Sequence, residues 1–276
     1  MMKDYNNDAS WLTENAWGKW GEDDEVGALN DVTPADVVKA ASLIRTGKVY
    51  DLETVRFKGM PVWDGHIGFE LLTYGSPMGR RNMSKNSDYS PAFAWHKDGG
   101  WVASANDDYQ IDANTEVMIA PMHMGTHIDG FCHITVGEDA HWYNGYNVSE
   151  YWGDFGPLKT DATTIPPIIL RGVLLDIAGY KGLDHVDPNY GITPEDIEGC
   201  AAWEGVELKE RDCVLLRCGE HWPEMDRCPG AGMTLAAARY LVEEKGAVLL
   251  GDDMIAFEMN HADGTMSWPR HPHPVH

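Results

Sequence analysis

Residues 123–133, HMGTHIDGFCH, place three histidines and one aspartate within eleven consecutive positions. His123, His127, Asp129 and His133 all have odd numbers, and odd positions of an extended chain share one face. The two glycines and the β-branched residues of the stretch disfavour a helix. We therefore expect a bent strand or loop that presents four metal-capable side chains on one side.

The spacing of these side chains predicts a metal centre with three protein ligands. His127 and Asp129 would lie about 6.6 Å apart along an extended chain, which suits two ligands of one ion. His123 and His127 would lie about 13 Å apart on a straight strand, so the chain must bend, and Gly125 permits the bend. We predict that His123, His127 and Asp129 bind the ion and that water fills its remaining positions, as in catalytic sites.

The last histidine of the stretch is predicted to have a different role. His133 shares the face but lies too far along an extended chain to reach the same ion. An imidazole that titrates near neutral pH suits a general acid and base beside the centre. Cys132 has the opposite parity and is expected to be a buried, unreactive thiol.

The segments around the motif predict an α/β fold, in which buried strands alternate with helices. TEVMIAPMHM (115–124) is expected to be a strand that leads into the motif, and KVYDLETVRF (48–57) is expected to be another. PPIILRGVLLDIAG (166–179), DCVLLRCG (212–219) and AVLLGDD (247–253) are expected to be buried strands, the first of them on both faces.

Threonines predict where the helices begin. Thr33 and Thr193 each precede a proline, the pattern of an N-cap followed by proline at the first helical position. Thr234 is expected to cap the helix LAAARYLVEEK. Gly47 and Gly246 are expected to end the first and the last of these helices.

Residues 57–116 mix glycine, proline, asparagine and aromatic residues, and they predict loops and short strands that could cover a pocket. His141, eight residues beyond His133, could border the same site. The candidate substrate-binding residues are Trp63, His66, Phe69, Trp95 and His141.

Composition limits the class of protein and its partners. The 276 residues are 43% apolar, which suits one large α/β domain or two smaller ones. We expect a single domain over 1–276, with the tryptophan-rich segment 1–32 packed on it or on a partner subunit. A net charge of −23 should repel nucleic acid and anionic membranes, which leaves a small molecule as the expected partner. The absence of a long apolar run, of a secretory signal and of CxxC among five cysteines predicts a reduced cytoplasmic protein.

HMGTHIDGFCH resembles the HxGTHxDxPxH signature of the cyclase-like metal-dependent hydrolases, the family of bacterial kynurenine formamidase and isatin hydrolase. WGEDDEVGALNDVTP (20–34), HWYNGYN (141–147), RGVLLDIAG (171–179) and LAAARYLVEEKGAVLLGDD (235–253) are similar to the longer members of that family. The resemblance implies a swivelling β/β/α fold with a mixed sheet, a homodimer or homotetramer, and a divalent metal, zinc or manganese.

The resemblance also implies roles for individual residues. It assigns the same roles as the spacing does. The metal ligands are His123, His127 and Asp129, and His133 is the general acid and base. Phe131 stands where the signature has proline. The family has a later histidine, followed twelve residues on by a glutamate. His276 is similar to that histidine and is assigned as a further ligand, but the sequence stops there, so its C-terminal end is expected to be truncated relative to the family.

Together these features predict a metal-dependent hydrolase that opens a carbon–nitrogen bond of an amide or cyclic amide, such as a formamide, isatin or imide. His133 would take a proton from the attacking water and return one to the leaving nitrogen. Three alternatives stay open. They are a lactone hydrolase on the same centre, an iron oxygenase built on His127, Asp129 and a distant histidine, and a non-catalytic binding protein that lacks the distal glutamate.

Overall fold

The structure, a computed structural model, describes residues 17–62, 65–76, 114–135, 137–219, 231–254 and 256–258. The chain divides into two compact units, one formed by Met1–Leu52 with His127–His276 and the other by Glu53–Thr126. The single domain over residues 1–276 stays a prediction.

Short strands and helices alternate along the described residues, as an α/β fold requires. The strands are β1 Glu70–Gly75, β2 Thr115–Ile119, β3 Trp152–Gly153, β4 Gly156–Pro157, β5 Gly172–Asp176, β6 Gly191–Ile192, β7 Cys213–Arg217, β8 Gly232–Met233 and β9 Leu249–Asp252. The helices are α1 Pro34–Ala41, α2 Val148–Tyr151, α3 Ile177–Tyr180, α4 Pro194–Glu204 and α5 Leu235–Arg239, which continues as a π-helical turn over Tyr240–Glu244. Single 3₁₀ turns cover Gly27–Asp31, Tyr143–Gly145 and Ala162–Thr164. Within the described ranges, no helix has the length and apolar content needed to cross a bilayer.

The first unit is built around a parallel sheet with the strand order β5-β7-β9. Val173 and Leu175 of β5 are buried and pack with the apolar residues of α3, α4 and α5, whereas Leu174 is 54% exposed. The expectation that this strand is buried on both faces is therefore wrong, because the described helices pack against the face that carries Val173 and Leu175. Antiparallel pairing occurs in separate sheets, such as β3 with β4.

The predicted helix starts are confirmed. Thr33 and Thr193 each accept a hydrogen bond from the backbone N–H three residues on, in a capping box, and Thr234 caps α5 in the same way without the box. The first helix is shorter than predicted, since α1 ends at Ala41, and Gly47 lies in the loop beyond it.

The second unit contains the antiparallel pair β1 and β2 and a small core of Met60, Phe69 and Met124. The predicted strand over residues 48–57 is not formed: no residue of this segment belongs to a described strand, and its apolar side chains are exposed. The residues of the segment are typical of a strand, yet a strand also needs a neighbouring strand to satisfy its backbone.

Candidate metal centre

The motif segment, defined as residues 123–133, contains a sharp bend at Gly125. β2 ends at Ile119, and Gly125 has a left-handed backbone with φ of 64°. A side chain at this position would be strained, and its Cβ would lie 3.4 Å from the Cβ of Thr54. The bend predicted between the first two histidines is therefore confirmed.

Arg56 holds both sides of this bend. Its Nε donates a hydrogen bond to the carbonyl oxygen of Met124 at 3.0 Å, and its Nη2 donates to the carbonyl oxygen of Thr126 at 2.7 Å. The backbone N–H of Thr54 donates to the Thr126 hydroxyl at 3.2 Å. Sequence reasoning missed Arg56, because the strand-like pattern of its segment gives no sign of a contact so far along the chain.

A turn follows Asp129. The backbone N–H of His133 donates to the carbonyl oxygen of Gly130 at 2.9 Å. The chain is therefore not extended at this point, and the expectation that His133 lies out of reach of the other metal-capable groups is wrong.

The bend and the turn place the metal-capable atoms in two overlapping groups. One ligand atom each from His123, Asp129 and His133 lies within 4.8 Å of the other two. Nε2 of His127 lies 3.2 Å from Oδ1 of Asp129. Asp129 belongs to both groups, so its carboxylate is the common point of the motif. The division into three ligands and one acid-base residue stays a prediction.

These donor atoms fit a divalent cation such as zinc or manganese. Imidazole nitrogen and carboxylate oxygen are usual ligands of such ions. Two atoms bound to one ion at about 2.1 Å are at most about 4.2 Å apart. The ligand atoms of His123, Asp129 and His133 lie within 4.8 Å of one another, which is close to this limit. His123 and Asp129 are half-buried and His133 is exposed, so the centre would be open to solvent on the His133 side.

Aromatic packing supports the turn. The ring of Phe131 stacks on Tyr143 with centroids 4.5 Å apart. Gly27 has φ of 66°, and a Cβ there would lie 2.6 Å from Cζ of Phe131, so glycine is required beside the ring. Phe131, at the position of proline in the signature that the motif resembles, thus anchors the turn in the first unit.

An ion pair supports the loop that lies against Gly130. A Cβ on Gly130 would lie 3.2 Å from the carbonyl oxygen of Thr160. Glu25 accepts hydrogen bonds from Lys159 Nζ and from the backbone N–H of Thr160, both at 2.7 Å. The hydrogen bond to Glu25 raises the pKa of Lys159. Buried Thr160 also accepts a hydrogen bond from Nε1 of Trp142 at 2.7 Å.

Two predicted substrate-binding residues lie in the second unit. The ring of His66 lies beside that of His123, with centroids 6.0 Å apart and 33° between the ring planes. Nδ1 of His66 is buried and makes no hydrogen bond with any residue that the structure describes. Phe69 is buried and packs with Met60 and Met124. Substrate binding by His66 and Phe69 stays a prediction.

His141 has partners of its own. Its Nδ1 lies 2.6 Å from Oδ1 of Asp139, and its ring meets the edge of Trp17 with centroids 5.5 Å apart. The hydrogen bond with His141 lowers the pKa of Asp139. The remaining predicted site residues lie outside the described residues: Trp63, Trp95 and His276.

Cys132 packs against the aromatic cluster of Trp142, Tyr143 and Tyr146. Burial raises the pKa of its thiol, as expected for an unreactive cysteine. It is not in the group of metal-capable residues that the described part of the chain brings together.

Comparison with known proteins identifies the family and confirms the fold. Residues 50–259 match the model of the Cyclase family. A crystal structure described as a novel cyclase is 26% identical over 88% of this chain and 77% of its own, with a TM-score of 0.70. The predicted α/β class and cyclase-like fold are thereby confirmed.

Two isatin hydrolase A structures share lower similarity. The enzyme from Labrenzia aggregata, bound to benzyl benzoate, is 16% identical over 81% of this chain and 75% of its own, with a TM-score of 0.46. The enzyme from Ralstonia solanacearum is 14% identical over 88% of this chain and 81% of its own, with a TM-score of 0.47. No curated protein matches the sequence.

Proposed function

The chain belongs to the cyclase family, and we propose that it is a metal-dependent hydrolase that opens a carbon–nitrogen bond of an amide or cyclic amide. One observation supports this most directly: His123, Asp129 and His133 offer ligand atoms within 4.8 Å of one another, and His127 lies against the same carboxylate. A cation held by only three protein side chains keeps positions for water and substrate.

We assign the first three of these metal-capable residues in chain order, His123, His127 and Asp129, as the ligands. A bound divalent cation would lower the pKa of water and polarise the substrate carbonyl. The two imidazoles bind as neutral groups, and the Asp129 carboxylate offsets one charge of the cation. Zinc and manganese are the proposed metals.

His133 is assigned as the proton carrier. Two observations support this assignment: His133 is exposed, and a turn closed by its hydrogen bond to Gly130 keeps it close to Asp129. As water adds to the carbonyl carbon, His133 takes a proton from it. When the carbon–nitrogen bond breaks, His133 returns a proton to the leaving nitrogen. Overall, one water molecule is consumed for each carbon–nitrogen bond broken, and a carboxylic acid and an amine are formed.

The substrate would bind on the side of His66. The buried Nδ1 of His66 has no hydrogen-bond partner among the described residues, and such an atom is costly unless water or a ligand satisfies it. A polar group of an amide or imide would satisfy it. Trp63, Phe69, Trp95 and His141 are proposed as further substrate-binding residues.

Assembly and location are also proposals. We propose a homodimer or homotetramer in the cytoplasm. Size-exclusion chromatography with light scattering tests the first, and cell fractionation tests the second.

Hydrolysis by metal-loaded protein tests the function. The chain is stripped with a chelator, loaded with zinc or manganese, and assayed against aryl formamides, cyclic imides, isatins and lactones. Turnover of an amide or imide that disappears on stripping and returns on loading is expected.

Other outcomes of the same assay decide against the proposal. Turnover confined to lactones would assign the centre to carbon–oxygen bonds instead. Tight metal binding without turnover of any member would favour a binding protein. Activity that survives metal removal would contradict the mechanism.

A further inference from the structure

Arg56 bridges the two sides of the bend in the motif segment, and we propose that it is a positioning residue of the metal centre. The inference rests on the proposed function, because it concerns the same ligands. Arg56 would act through the backbone on either side of Gly125.

The contacts of Arg56 fix the direction of the chain at two points. It donates to the carbonyl oxygens of Met124 and Thr126, at 3.0 and 2.7 Å. His123 directly precedes the first of these residues and His127 directly follows the second. A guanidinium is planar and its N–H groups point in fixed directions, so it holds two carbonyl groups in one relative orientation. The directions in which the two histidines leave the bend are thereby set.

The side chain of Arg56 is itself held in place. Its Nη1 pairs with Glu53, so Nε and both terminal nitrogens each have a partner. The side chain is 31% exposed, and its Cγ and Nε would lie 3.7 Å from a Cβ on Gly125. The Arg56 side chain therefore packs directly against the bend at Gly125. All of these contacts lie within the second unit.

The positive charge of Arg56 allows its positioning role to be separated from its electrostatic effect, because the two change metal affinity in opposite directions. A positive charge repels a cation, so loss of Arg56 through charge alone would tighten metal binding. Loss of positioning would weaken it. Weaker binding by an Arg56 variant therefore reports geometry.

Metal affinity of the full chain is the first test. Arg56→Ala and Arg56→Lys are compared with Lys58→Ala by titration of the stripped proteins with zinc and manganese. Lys58 pairs with Glu70 at 2.7 Å and carries the same charge two residues away. Both Arg56 variants should bind metal on the order of 10- to 100-fold more weakly, as when other supports of metal ligands are removed. Lys58→Ala should bind as tightly as the wild type or slightly more tightly.

Arg56→Lys keeps the charge and most of the side chain, so it serves if Arg56→Ala does not fold. Hydrogen exchange of residues 121–128 in the metal-free proteins is the second test, and exchange should become faster in the Arg56 variants alone. Equal affinity and equal exchange in Arg56→Lys and the wild type would overturn the inference while leaving the proposed function intact. A wild type that binds neither metal would overturn both proposals.

Discussion

Asp129 is the residue on which the proposed centre depends. Its carboxylate lies 3.2 Å from Nε2 of His127 and within 4.8 Å of a ligand atom of both His123 and His133. The two outer histidines therefore reach the same point from opposite ends of the motif. The remaining question is which of His127 and His133 binds the metal and which carries the proton.

Single alanine substitutions separate these two roles. His127→Ala should lose a ligand and weaken metal binding by about 100-fold or more, because one of three protein bonds to the ion is gone. His133→Ala should keep its metal and lose turnover by about 100- to 10,000-fold, the usual contribution of a general acid and base. Metal titration and turnover of both variants are the measurements. Metal loss in His133→Ala with metal retained in His127→Ala would exchange the two assignments.

His66 offers a prediction about substrate binding. His66→Phe keeps a planar ring beside His123 but removes both ring nitrogens. It should raise KM by about 5- to 100-fold, since a hydrogen bond to a polar substrate group is worth about 1–3 kcal/mol, and it should leave metal content unchanged. Steady-state kinetics with metal analysis check this. An unchanged KM would remove His66 from the substrate site.

The residues of the motif show how far sequence reasoning extends at this scale. The bend at Gly125 was predictable, because metal bonds are short and the two histidines could not otherwise meet. The turn that returns His133 toward Asp129 was not, because it depends on Phe131 packing against Gly27 and Tyr143. Those contacts join distant parts of the sequence, and parity along a straight chain cannot represent them.

At the scale of elements, the 3₁₀ turn Gly27–Asp31 packs against the turn at residues 130–133. Gly27 begins the first and touches the Phe131 ring of the second. Asp24 reinforces this contact. Burial alone would raise its pKa, but hydrogen bonds from Tyr143 and the backbone of Gly27 outweigh burial and lower the pKa.

Gly27→Ala tests this packing against a matched control. Gly47 has φ of 67°, close to the 66° of Gly27, but open space around it. Gly47→Ala should cost about 1 kcal/mol of unfolding free energy from backbone strain alone. Gly27→Ala should cost about 1–3 kcal/mol more, because its methyl group overlaps Phe131. Urea unfolding measures both, and equal losses would mean that the contact with Phe131 contributes nothing.

The capping box of α1 predicts a pH dependence. Hydrogen bonds from the Thr33 hydroxyl and backbone N–H, aided by Arg211, lower the pKa of Asp36 from 3.8 to about 2. A carboxyl with a lowered pKa in the folded state adds stability above its unfolded pKa and loses it as pH falls through the folded value. The stability advantage of the wild type over Asp36→Asn should therefore be constant above about pH 5 and shrink between about pH 4 and pH 2. Thermal unfolding across this range checks it, and a pH-independent difference would contradict the assigned pKa.

Elements with local signals were predictable, and those that need a distant partner were not. Thr33, Thr193 and Thr234 marked helix starts because capping involves only neighbouring residues. Residues 48–57 have the composition of a strand but no described strand beside them. β5 was expected to be covered on both faces, yet which face a helix covers depends on the whole sheet.

At the scale of the whole molecule, the net charge of −23 sets a condition on any metal measurement. A strongly acidic surface attracts divalent cations weakly at many positions, and salt screens this attraction. Metal bound by the motif must therefore be distinguished from metal in this diffuse atmosphere. A control with the same loss of charge is needed, and Asp139, whose side chain is 65% exposed, supplies one.

The most direct test is the metal content of wild type, Asp129→Ala and Asp139→Ala after loading with zinc or manganese and gel filtration in about 150 mM salt, where charges are screened beyond about 8 Å. Elemental analysis of each protein gives the ratio of metal to chain. The account predicts a stoichiometric ratio for the wild type and for Asp139→Ala, and almost none for Asp129→Ala. Equal metal in Asp129→Ala and the wild type, or none in any of the three, would contradict it.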